Sequence, residues 1–129
     1  MKAELFDLWI EKLTDGSYEQ GREALKVISD SGETQYCCLG VLCDISGEGE
    51  WVGFSFKPRY RYEESANSEF VPDELARELG IARYGVPLAR VGYYETDPAA
   101  MNDAGYSFRE IAEFLKENRD DYVDEEAGS

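Results

Sequence analysis

The run Tyr36-Cys-Cys-Leu-Gly-Val-Leu-Cys-Asp-Ile45 holds all three cysteines and a nearly continuous apolar stretch, in a chain of net charge −15. A stretch of this kind belongs inside the protein, so the rest of the chain must be arranged to cover it. Periodicity in so short a run does not separate a buried strand from a buried helix. Only Val41 and Ile45 are β-branched, and Leu39, Leu42 and Cys43 share a helical face. The expectation is therefore a buried helix over Cys38 to Ile45, stopped by Gly47.

The thiols invite a chemical reading, and the rest of the sequence argues against it. Two adjacent cysteines and a third five residues later match no common zinc spacing, and the chain has no histidine. A cysteine nucleophile commonly needs a histidine base, so a Cys-His mechanism is excluded. The thiols read as small hydrophobes of the core. Three cysteines make no disulfide framework, and Met1-Lys2-Ala3-Glu4 lacks a secretory layout. The expected location is the reducing cytoplasm. No membrane partner is expected, because no segment reaches the ~20 apolar residues of a span.

A length of 129 residues with 43% hydrophobic content fits one domain with a real core. The pI near 4.3 argues against a DNA or RNA polymer as partner, since phosphate contacts need a basic surface. The same charge suits a basic protein partner or a nucleic-acid-mimic role.

Along the chain, Leu5, Leu8, Trp9 and Leu13 form the stripe of a helix from about Ala3 to Leu13. A loop and a turn or two of helix are expected over 18–28, and a loop at 30–33. Residues 51–62 read as one aromatic β segment. From Phe54 on, Phe54, Phe56, Pro58, Tyr60 and Tyr62 alternate with Ser55, Lys57, Arg59 and Arg61. Pro58 suggests an edge strand or a break. A polar loop at 63–69 follows, then a helix from Pro72 to Leu79 ended by Gly80. A second β segment is expected within 84–94, and a short helix from Asp97-Pro98 to Asn102. Ser107-Phe-Arg-Glu110 is a capping box opening a helix to about Asn118. Residues 1–119 are thus read as one α+β domain, with helices packed on a short antiparallel sheet from 51–62 and 84–94. Residues 120–129 are read as a frayed acidic tail.

Several of these blocks resemble a family encoded by tailed bacteriophages and prophages. Its members share a Trp-containing first helix, a Tyr-x-Gln segment, the cysteine block, a Leu-Pro-like helix start and a closing Leu-Asn-Asp-x-Gly-x-Ser-Phe-x-x-Ile-Ala pattern. Here these read Leu8-Trp9, Tyr18-Glu19-Gln20, Tyr36 to Asp44, Val71-Pro72-Asp73-Glu74 and Met101 to Ala112. The resemblance spans most of 5–116 and is poor over 46–70. It implies a phage-like origin and a fold, and no mechanism.

Met101 to Leu115 also looks like the first two-thirds of a helix-turn-helix. A DNA reader then needs a recognition helix. The chain instead continues into Asp120, Asp121, Asp124, Glu125 and Glu126, which DNA would repel. A helical hairpin closing the core is expected.

One local anomaly remains. Lys57, Arg59 and Arg61 place three of thirteen basic residues on one face of the expected strand, beside Tyr60 and Tyr62. Guanidinium forks bind phosphate and aromatic faces accept bases, so the stripe points to a small anionic nucleotide. Arg22, Gln20, Tyr18 and Asn102 are candidate contributors. The competing reading is edge protection and pairing with acids. The carboxylates, including Glu95, Asp97 and Asp103, show no spacing for acid–base catalysis or a metal, and no cofactor motif is present.

The leading expectation is a non-enzymatic binding protein, a phage counter-defence factor that sequesters a nucleotide signal. The alternative is an acidic module that blocks a basic host surface. A carboxylate hydrolase ranks last, and self-association is left open.

Overall fold

The computed structural model describes residues 1–53 and 55–124. Among the described residues, six helices and two small antiparallel sheets make an α+β domain. The cysteine block is a helix, α2 (Cys38–Ser46), and everything from Cys38 to Cys43 is buried. Cys37 caps it, its sulfur accepting from the Gly40 amide at 3.4 Å. Gly47 ends it in the left-handed conformation at φ 65°. Each fully buried leucine of α2 stabilises the fold by about 1.5–3 kcal/mol.

The first helix, α1 (Ala3–Thr14), lies against α2. Its buried residues are Phe6, Trp9 and Leu13, so the stripe is rotated from the expected one and Leu8 sits only half-buried. Trp9 donates its indole N–H to the Cys38 carbonyl at 2.9 Å, which allows a tryptophan to be fully buried.

Residues 26–28 are a strand, not a helical turn. β1 (Lys26–Ile28) pairs with β2 (Thr34–Tyr36) around the expected loop at 30–33. Val27, Ile28 and Thr34 flanking Asp30-Ser31-Gly32 are a hairpin signal that outweighs a weak helical pattern. Leu25 then meets α2 at one point of very close approach. Its carbonyl accepts from the Cys37 amide at 3.1 Å. A methyl group on Gly40 would sit 1.8 Å from that same oxygen.

The second sheet runs β3 (Glu50–Val52), β4 (Arg59–Tyr62), β5 (Ser65–Asn67), with β4 in the centre. The expected single strand over 51–62 is therefore two strands of a hairpin, paired Glu50↔Arg61, Trp51↔Tyr60 and Val52↔Arg59. Gly53, with φ 97°, starts the break, and Pro58, which cannot donate to a ladder, ends it. Phe54 lies outside the described residues. Phe56 points to solvent, whereas Tyr60 is buried. The expected polar loop holds β5, joined to β4 through Glu63-Glu64.

The expected β segment at 84–94 is absent. An isolated Ile81↔Pro87 bridge is followed by a 3₁₀ turn at Leu88–Arg90. Gly85 and Gly92, at φ 106° and 86°, and the missing amide of Pro87 break any extended run.

The helices α3 (Asp73–Leu79), α4 (Pro98–Asp103) and α5 (Phe108–Glu117) fall where the capping residues place them, with Asp97 and Ser107 as N-caps. Pro72 precedes the first turn of α3 rather than opening it. After α5 the chain does not fray at once. A last turn, α6 (Arg119–Tyr122), docks Tyr122 between Phe6 and Trp9, and its hydroxyl donates to the Gly85 carbonyl at 2.7 Å. The expected tail thus contributes Tyr122 to the core, and 125–129 lie outside the described residues. Among the described residues no helix is long and apolar enough to cross a membrane.

The close approach at Gly40 sets a sharp expectation. Gly40→Ala must separate α2 from β1 and should cost more than about 3 kcal/mol, as severe overpacking does. Gly47→Ala meets nothing within 4 Å and strains only φ, at about 1–2 kcal/mol. Urea denaturation of the two variants checks the order.

Candidate binding site

The seven residues singled out from the sequence separate into two groups. Gln20 and Asn102 come together, but as braces. Asn102 is fully buried. Its Oδ1 accepts from the Cys38 amide at 3.2 Å and from Gln20 Nε2 at 3.0 Å, and its Nδ2 donates to the Gly21 carbonyl at 2.7 Å. Gln20 also donates to the Tyr106 carbonyl at 2.8 Å and accepts from the Phe108 amide at 3.0 Å. These amides thereby cap the first turns of α2 and α5 from one point, and most of their bonding capacity is used. Tyr18 is engaged as well. Its hydroxyl donates to Asp44 at 2.5 Å, and the other carboxylate oxygen of Asp44 accepts from Trp51 Nε1 at 2.9 Å. Burial first, then the Asp44 hydrogen bond, pushes the Tyr18 phenol well up.

The basic stripe does not assemble. Arg59 and Arg61 lie on the exposed face of β4, and Arg61 is bound to Glu50, its cross-strand neighbour. Lys57 lies outside the strand, in the 53–58 connection, which is held to β1 by the Ile28 amide donating to the Phe56 carbonyl at 2.8 Å. Edge protection does not account for the arginines either, because β4 is the central strand.

Lys57 instead opens onto a cavity of about 280 Å³ with Glu23, Glu69 and Asp103, over a floor of Ala24, Cys37, Phe70 and Ala99. The wall is fixed by the brace next to it. Asp103 follows Asn102 in α4 and accepts from the Glu23 amide at 2.9 Å, holding Glu23 at φ 66°. Arg22 is exposed beside it. Three carboxylates against one ammonium over an apolar floor suit the end of a lysine or arginine side chain, stem and head together. Covalent chemistry is disfavoured, since burial pushes the Cys37 thiol up to about 11 and raises Cys38 and Cys43 well above the usual thiol range as well. Among the described residues no group of histidine, cysteine or carboxylate side chains is placed to hold a metal ion.

A second feature that the sequence reading missed is the aromatic row Tyr18, Tyr36, Trp51, Tyr60, each ring edge-on to the next at 4.9–6.0 Å. Lys26 lies over Tyr36 and Trp51, at 5.6 and 5.0 Å from the ring centres. Lys26↔Tyr36 and Trp51↔Tyr60 are cross-strand pairs, a relation legible only once the strands are paired.

Residues 1–119 match the family described as a domain of unknown function, DUF8296, and the chain belongs to that family. No curated protein and no solved structure matches the chain.

If Asn102 is a brace, its loss orphans the buried Cys38 N–H and Gly21 C=O, each at about 1–3 kcal/mol. Asn102→Ala should therefore lose at least about 2 kcal/mol in urea denaturation, whereas Arg59→Glu should stay within about 0.5 kcal/mol of the parent. Equal stabilities would contradict the assignment.

Proposed function

We propose that this DUF8296 chain is a non-enzymatic interaction module that docks on the basic surface of a partner protein through its acidic exterior. The carrying observation is where the cations go. Lys12, Arg61, Arg90, Lys116 and Arg119 form ion pairs within the chain, and Arg83 and Lys26 lie over its aromatic rings. In a chain of net charge −15 this leaves an exterior dominated by carboxylates. Such a surface steers and selects a basic partner more than it binds any single group tightly. The cavity bounded by Glu23, Glu69 and Asp103 supplies a defined seat for one protruding lysine or arginine. A phage origin would make that partner a host protein, most simply one whose basic surface serves nucleic acid.

The nucleotide-sponge reading has lost its geometric premise: Lys57 is off the strand, Arg61 is paired, and Gln20, Tyr18 and Asn102 hold the fold together.

The immobilised chain, exposed to a nuclease-treated bacterial lysate, should retain proteins of high pI. They should elute as salt rises from about 0.1 M, with a Debye length of about 10 Å, toward 1 M, where it is about 3 Å. Glu69→Lys should weaken binding of a retained protein by about 1 kcal/mol, roughly fivefold. A retained set no more basic than the lysate, or retention indifferent to salt, would refute the proposal.

A further inference from the structure

The loop after β5 and α3 carries the opposite chemistry. Leu88, Val91 and Tyr93 are 49%, 53% and 69% exposed, within six consecutive exposed residues of the chain. Exposed apolar side chains this close together mark interaction surfaces. The loop is held rigidly. The Leu88 amide donates to the Gly80 carbonyl at 2.9 Å, and the Tyr93 amide donates to the Arg90 carbonyl at 2.9 Å. Arg90 reaches Asp121 at 3.1 Å and lies over the Tyr93 ring, and Tyr94 bonds the same Asp121 while packing edge-on against Phe114. Its conformation therefore comes from the folded domain, and little ordering cost remains for binding.

Leu88 also lines a hollow of about 180 Å³ over Ile81 and Ala82, flanked by Arg77 and Arg83 with Asp73. Two arginines against one aspartate reverse the balance of the acid-lined cavity. Arg83 lies over the Phe70 ring, its Cζ 5.3 Å from the ring centre. Leucine, tyrosine and arginine in one patch, with an apolar centre and a charged margin, is the composition of an interface. The hollow is smaller than the ~300–1,000 Å³ typical of small-molecule sites, so a free nucleotide would be poorly enclosed. One apolar side chain fits it.

We infer that the Leu88–Tyr93 loop and the adjoining arginine-flanked hollow form a docking surface for a protein segment that presents an apolar side chain next to a carboxylate. Charge complementarity fixes the occupant. The apolar side chain enters over Ile81 and Leu88, and the carboxylate meets Arg83 or Arg77 in fork geometry. A basic segment would be repelled here and drawn to the acidic cavity. The inference is thus independent of the proposed function, and with it the chain has two docking faces of opposite charge.

The test pans a library of random twelve-residue displayed peptides against the full-length chain, then titrates a synthetic copy of the enriched peptide by fluorescence anisotropy. Enriched peptides should share an apolar residue beside Asp or Glu. Leu88→Asp, Val91→Asp and Arg83→Glu should each weaken binding at least tenfold, with thermal unfolding like the parent's, and Glu69→Lys should change nothing. Retained binding to all three loop and hollow variants would overturn the inference, as would basic enriched peptides or no enrichment. So would light scattering that shows a dimer broken by Val91→Asp, since the occupant would then be a second copy.

Discussion

One buried amide ties together parts of this structure that lie far apart in the sequence. Asn102 joins α4, the first turn of α2 and the Gln20-Gly21 segment, three pieces separated by as many as 82 positions in sequence. Gln20 extends the junction to the start of α5. A buried polar network is worth having only when every member is satisfied, and this one is: among the described residues no buried side-chain nitrogen or oxygen lacks a partner. The network also fixes what lies next to it. Asp103 is placed by Asn102, Asp103 holds Glu23 in the left-handed region, and the two carboxylates form one wall of the acid-lined cavity. The candidate cavity is therefore a by-product of the brace.

What the sequence made legible was local. The helices carry their boundaries in capping residues, so Asp97, Ser107, Gly47 and Gly80 marked real ends. The cysteine block was readable as core because a long apolar run in an acidic chain has nowhere else to go. What it hid was pairing. Strands β1, β2 and β5 have three residues each, too few for a two-residue period to show. The alternation from Phe54 to Tyr62 was present in the letters, but a hairpin turn consumed half of it. The last helical turn was masked by composition: Tyr122 is one aromatic among aspartates, and only its three-sided contact with Phe6, Trp9 and Gly85 makes it core.

The site residues show the same division. Gln20, Tyr18 and Asn102 read as contributors to a ligand site because they carry hydrogen-bonding groups, which is a real signal. It does not distinguish a group that binds a ligand from one that binds the backbone. Structure decides by counting partners, and these side chains have theirs inside the chain. What remains outside is carboxylates in excess over much of the surface, and one apolar loop bracketed by arginines. Both proposed docking faces rest on these features.

The central claim is that Asn102 and Gln20 join distant segments into one cooperative unit. Residue-resolved amide hydrogen exchange tests it directly. The Cys38 amide, bonded to Asn102, and the Phe108 amide, bonded to Gln20, should exchange only through global unfolding. Their exchange free energies would then match those of amides in the middle of α2, such as Leu42. If Cys38 and Phe108 exchange through local opening, with free energies several kcal/mol below Leu42, the junction is a peripheral contact and the account of the fold given above is wrong.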